Sequence, residues 1–277
     1  MMHTGYQQCR QPRQRGFTLI EAIVVLTITA IVAAVVAIFM RTPIQSYFDV
    51  SRRAAVTDTL DTALLRISRD VRLALPNSVR VTADGQSLEF LHTRTGGRYL
   101  SATDQAGNGD VLDFNNVDLS FDLLGAPLDM LSGDQIVIYN LGVPGADAYE
   151  ATSAATPHVR RTYNGASGLV NRITLATDAR FPFDSPGHHF QVVDTAVTYR
   201  CRDGVLTRYW GYAIEPVQPD PPAGGQNALL ATQVSACYFG YAPGVTERSD
   251  LVTLQLALTS QDETTRLAYQ VHVSNAP

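Results

Sequence analysis

Apolar and polar residues follow one another in three rhythms along this chain. From Phe17 to Met40 there is no rhythm: twenty-four residues hold one charge, Glu21. As a helix that stretch spans about 36 Å, enough for a hydrocarbon core of about 30 Å. Beyond Pro43 a helical period sets in, with Leu60, Leu64, Ile67, Val71 and Leu75 on one face. Asp61, Arg66, Arg69, Asp70 and Arg72 fill the other positions. The breaker pair Pro76–Asn77 is expected to stop the helix. Together the two halves predict a helix of about 88 Å, with Pro43 as the place where it would bend.

From Ser78 on the period is two, and Leu88–Leu91, Gln135–Tyr139, Arg172–Leu175 and Val192–Tyr199 are predicted strands. Gly204–Tyr212 is placed to pair with the preceding strand as a hairpin through Arg202-Asp203-Gly204. Val252, Leu254, Leu256 and Leu258 alternate with more polar residues, 260–264 turns, and Leu267, Tyr269, Val271 and Val273 alternate back, a C-terminal hairpin. Segments 142–157 and 216–227, rich in Gly, Pro and Ala, are expected to be loops. A helix followed by antiparallel strands gives an α+β fold. The expected divisions are a leader over 1–16, a membrane half-helix over 17–40, an amphipathic stem over 41–76 and a β-rich domain over 77–277.

Glu21 is the anomaly of the apolar run. A secretory signal peptide has a shorter apolar region with a small-residue cleavage site behind it, and a plain anchor leaves the acid unexplained. A carboxylate within a membrane segment is costly even about 6 Å from its end, so it asks for a function. Arg15-Gly16-Phe17-Thr18-Leu19-Ile20-Glu21 resembles the prepilin processing motif of type IV pilins and type II secretion pseudopilins. The resemblance implies cleavage after Gly16 by prepilin peptidase, an N-methylated Phe17 as the mature N-terminus, and Glu21 as the carboxylate that meets a neighbouring subunit's N-terminal amine. It also implies a pilin-like fold, a long N-terminal helix laid on an antiparallel sheet. The implied partners are prepilin peptidase, other pilin and minor pilin subunits through the N-terminal helix, an inner-membrane assembly platform and inner-membrane lipid. Ala74–Val81, Asp134–Gly142 and Gln270–Asn275 are similar to the MshO family of MSHA pilus biogenesis proteins.

Charge orients the span weakly. Arg10, Arg13 and Arg15 precede it, while Arg41, Arg52 and Arg53 follow. The motif and the cysteines place the C-terminal bulk on the periplasmic side. Cys9 lies in the leader, and Cys201 and Cys237 in an exported domain are expected to form one disulfide, two buried free thiols being the alternative. A bridge there would tether the loop between them. Losing the three leader arginines takes the formal charge from −5 to −8, a poor match for nucleic acid. All 21 basic residues are arginine, which carries no functional reading.

No catalytic residues, cofactor or metal ligands are expected. Asp104–Asp110 has glycines and oxygen donors but lacks the spacing and closing Glu of an EF-hand, so it reads as an Asx/Gly turn. Adjacent His188 and His189 point apart on an extended chain. Asp194 and Asp203 have no evident nucleophile or perturbed partner. Tyr209, Trp210 and Tyr212 are either cross-strand packing or a partner surface. The leading expectation is a minor pilin that primes or assembles an MSHA-type pilus. A type II secretion pseudopilin, a filament-tip adhesin and a membrane-anchored enzyme are the alternatives, the enzyme lacking a catalytic cluster.

Overall fold

The computed structural model describes residues 16–153, 155–176, 180–243 and 250–276. Cys9, Arg10, Arg13 and Arg15 lie outside them. By internal packing the chain divides after Ala54 into an N-terminal unit and a globular one.

Helix α1, Leu19–Arg72, crosses that division and continues through Pro43. In the first unit its apolar side chains, from Leu19 to Met40, are exposed on every side. In the globular unit Leu60, Leu64, Ile67 and Val71 are fully buried, as their period predicts. The helix ends four residues before the expected breaker. Leu73–Leu75 instead run beside the sheet: Thr93 N donates to Leu73 O, Leu75 N donates to Leu91 O, and Ala74 bridges His92. Sheet pairing at this point satisfies the backbone groups that a further helical turn would have used. Two acids assigned by period to the outer positions are also drawn inward. Asp70 is buried and accepts from Tyr199 Oη at 2.7 Å and Arg208 Nε at 2.8 Å, and Asp61 accepts from Tyr269 Oη.

The strands follow as β1 Arg80–Val81, β2 Ser87–Arg98, β3 Ser120–Asp122, β4 Leu128–Met130, β5 Gln135–Val137, β6 Arg160–Thr162, β7 Gly168–Val170, β8 Arg172–Thr174, β9 His189–Arg202, β10 Val205–Tyr212, β11 Gln226–Ala231, β12 Val234–Ala242, β13 Asp250–Ser260 and β14 Glu263–Val273. Every pairing is antiparallel. The fold is therefore α+β. The long strand β9 is central to a seven-stranded sheet, with β2 along one side and β10 and β5 sharing the other. β12, β13 and β14 form a separate three-stranded sheet.

One face of β2, β9 and β10 and the inner face of the three-stranded sheet enclose the buried stripe of α1. The opposite face of the large sheet packs against Ala146, Ala148 and Tyr149, which are buried. They lie within the expected loop, whose described residues on either side of 146–150 are exposed. A further cluster around Tyr99, Phe121, Phe181 and Phe190 holds the short pairs β3–β8 and β4–β7.

Cys201 on β9 and Cys237 on β12 form a disulfide with Cα atoms 6.2 Å apart. It ties the two sheets together. The segment between the cysteines needs no such tether, because it contains β11 and the start of β12, and its remaining loop is pinned by arginines. Arg80 donates to the Glu215 and Pro216 carbonyls, and Arg200 pairs with Asp220.

Both predicted hairpins close through two-residue turns with positive φ, Asp203-Gly204 (52° and 75°) and Gln261-Asp262 (48° and 65°). Such turns match the natural twist of the strands they join. Gly211, at φ 73°, sits where the β9–β10 register shifts, and Tyr212 consequently packs on the same face as Tyr209. Trp210 packs on the opposite face with the α1 cluster. These aromatics are cross-strand packing.

Candidate functional site

The start of α1 is built by its own sequence. Gly16, Phe17 and Thr18 precede the helix and are exposed. Thr18 is the cap: its carbonyl accepts from Ala22 N at 3.2 Å and its Oγ1 accepts from Glu21 N at 3.4 Å. Thr18-x-x-Glu21 is thus a capping-box spacing, and the acid in the first turn also favours the positive end of the helix dipole. Local structure therefore accounts for an acid at position 21, and it leaves the carboxylate exposed.

Gly16 has no comparable local reason. A Cβ there would meet nothing within 4 Å, and its φ lies outside the left-handed region. Neither packing nor backbone conformation within this chain demands glycine at that position.

Behind the cap, an 18-residue window of α1 reaches a mean hydropathy of 3.0, and none of it is buried by the rest of the chain. An exposed helix that is apolar all round suits lipid or partner helices and not water. The hydroxyls of Thr27 and Thr29 donate to the carbonyls of Val24 and Val25 at 2.9 and 2.7 Å. Both side chains are satisfied within the helix, which hydrocarbon requires.

A family model, the prokaryotic N-terminal methylation motif, matches residues 11–37. At its N-terminus the chain is type IV prepilin-like. No curated protein and no solved structure matches the chain.

In the globular unit of this prepilin-like chain the other sequence candidates are dispersed. Asp104 organises its loop, accepting from Asn108 N at 2.7 Å and Ala106 N at 2.9 Å, which holds its carboxyl below the usual range. His188 leans on Tyr99 and pairs with Asp184 at 3.2 Å, while His189 opens β9. Asp194 pairs with a histidine across the sheet: β2 and β9 bring His92 Nδ1 to 2.8 Å from it. Among the described residues no three His, Cys, Asp or Glu side chains gather as a metal site.

Sequence reasoning missed Glu89. It lies on β2 opposite Arg80, fully buried, with Oε2 taking Arg80 Nε and Nη2 at 3.0 Å each. Among the described residues its Oε1 has no well-formed hydrogen bond, although the Tyr212 hydroxyl acts on the same carboxylate. Burial pushes its carboxyl up to about 7, against the pull of Arg80. The Arg80 guanidinium also lies 3.6 Å from the centre of the Tyr149 ring. The alternating pattern of β2 flags position 89 as the solvent side. The two-residue strand that supplies its partner is too short to be seen in sequence.

Proposed function

We propose that this chain is a minor type IV pilin that primes or supports assembly of an MSHA-type pilus. Residues 1–16 are a leader removed after Gly16 by prepilin peptidase, and Phe17 is the methylated mature N-terminus. Residues 17–40 cross the inner membrane, the stem over 41–76 follows, and the domain over 77–277 faces the periplasm. The observation that carries this reading is the methylation motif running directly into a capped helix that is apolar on every side. The unexplained glycine at 16 supports a requirement imposed by a peptidase. The MSHA assignment rests on the similarity of segments 74–81, 134–142 and 270–275 to that family.

The mechanism is assembly. Glu21 pairs with the N-terminal amine of a neighbouring subunit. In hydrocarbon a mispacked register strands both charges, at a cost several times that in water. The partners are other pilin subunits, the inner-membrane assembly platform and lipid, and no nucleic acid.

Gly16→Val is expected to leave an uncut precursor by intact mass, whereas Glu21→Ala is cut but no longer recovered with other pilins. A mature mass starting at Phe17 in Gly16→Val, or unchanged recovery of Glu21→Ala, overturns the assignment. A deletion strain separates pilus from secretion system: loss of surface-shed pili supports the pilus, and intact pili with failed secretion support a pseudopilin.

A further inference from the structure

Between Met40 and Ala54, within the N-terminal unit, α1 has a surface of a third kind. A helix turns about 100° per residue, which sets Met40, Ile44, Tyr47, Phe48 and Val50 on one half, within about 160°. Pro43 and Ala54 fall among them, and Ser51 is the one polar residue on that side. Arg41, Gln45, Ser46, Asp49, Arg52 and Arg53 take the other half. The apolar half is exposed throughout.

Three arginines against Asp49 leave the polar half at +2, in a chain of formal net charge −5. A helix with a broad apolar half and a basic opposite face suits the plane of a bilayer surface. Its apolar side there reaches about 5–10 Å into the boundary between headgroups and acyl chains. A seam for one other helix is narrower, about two positions in seven. The rings of Tyr47 and Phe48 meet edge to face at 5.9 Å, and tyrosine is enriched where membrane meets water. An upright helix would carry Tyr47 about 10 Å beyond Met40, past a headgroup zone about 5–7 Å deep. Its apolar half would then stand in water. Pro43 offers the way down, since it has no N–H for the carbonyl of Phe39 and the helix bends most readily there.

We propose that residues 44–54 are an interfacial segment, which bends at Pro43 to lie along the surface of the bilayer that residues 17–40 cross. Tyr47 and Phe48 sink into the headgroup zone, and the basic half faces the phosphates of anionic lipid. This rests on the reading of residues 17–40 as a membrane span, whose end delivers the segment to the surface. Lipid covers the apolar half without a protein partner. Held there, the unassembled chain shields this face from water and from other helices.

Spin labels test the depth of each position, through collisions with oxygen, which enters lipid, and with a nickel chelate, which stays in water. In the full chain carrying Cys9→Ser, Cys201 and Cys237 are bonded to each other, so an introduced cysteine is the one reactive thiol. Ile28→Cys, Ile44→Cys, Gln45→Cys, Ser46→Cys and Ser51→Cys are labelled in vesicles of phosphatidylglycerol and phosphatidylethanolamine, with few chains per vesicle. Positions 44 and 51 are expected to be shielded from nickel several-fold relative to 45 and 46. That shielding is expected to fall when phosphatidylcholine replaces phosphatidylglycerol. Shielding at 28 with 44 and 51 as accessible as 45 and 46 overturns the proposal and leaves the span standing. An accessible position 28 overturns both. Shielding at 44 and 51 that ignores the lipid exchange, or that vanishes as the chains are diluted in lipid, also overturns the proposal, the second result marking another helix as the occupant.

Discussion

Residues 19–40 and residues 60–71 belong to one unbroken helix, yet their surroundings are opposite. The first stretch shows apolar side chains on all sides and buries none of its hydropathic window. The second buries one stripe to completion between two sheets and keeps other positions outside. Helix formation does not separate them, since both propagate the same backbone bonds. The difference lies in what completes each surface. The stem finds its complement in its own β-rich domain, so its stability is a property of the single chain. The apolar half is exposed along its whole length, a surface suited to lipid or to other helices.

A single charge placed in each half separates the two most sharply. Ile67→Asp puts a carboxylate at a fully buried site and is expected to unfold the globular unit, at a cost above about 4 kcal/mol. Ile28→Asp, at an exposed site, is expected to leave the globular melting transition in place and to reduce membrane integration, by about 2.5–3.5 kcal/mol near the helix centre. Circular dichroism melts of detergent-purified chain and membrane fractionation read the two effects. Equal melting of both variants would erase the comparison.

Reduction of the disulfide acts on one half only. Cys201 and Cys237 are 36 residues apart and join the two sheets that enclose the stem stripe. On the chain-entropy model their link stabilises the globular unit by about 3–4 kcal/mol. Cys201→Ala with Cys237→Ala is expected to lower the globular melting temperature by several degrees, with the helical signal of residues 19–54 retained. A parallel loss of both signals would mean that the two regions fold as one unit.

The same contrast explains what was legible in the sequence. The apolar half of α1 announces itself because every position from Phe17 to Met40 agrees, apart from Glu21. The stem stripe, β2, β9, β13 and β14 are visible because each is long enough to repeat its period. β8 is visible as Arg172–Leu175, but its partner β3 and the pair β4–β7 are not. These strands have three residues each, and Phe121 meets Ile173, and Leu128 meets Val170, across long stretches of chain. β11 and β12 were hidden behind a Gly/Pro-rich segment. At the N-terminus the motif Arg15–Glu21 stands out in the sequence, while the Thr18 cap beside it comes from the structure. The Asp70–Tyr199–Arg208 tie and the Arg80–Glu89 pair were not, since residues distant in sequence supply the partners.

Glu21 and Glu89 carry the comparison down to single residues: the first is conspicuous in sequence and exposed, the second inconspicuous and fully buried. The buried one couples the fold to pH through its desolvation. Its carboxyl is raised from 4.5 to about 7 in the folded chain, so the native state holds a proton that the unfolded state releases. Its contribution is fully present below about pH 4.5 and is lost as pH rises through 7, with an upper bound of order 3 kcal/mol. His158 works in the other direction. Burial lowers its imidazole, so its contribution is present above pH 6.5 and fades as pH falls. The measurement is therefore a difference: melting temperature against pH for the wild-type chain and for Glu89→Gln. The wild type is expected to lose several degrees more than Glu89→Gln between pH 5 and pH 8. Parallel curves would mean that Arg80 holds Glu89 ionised throughout, and that the Glu89 Oε1 reaches water.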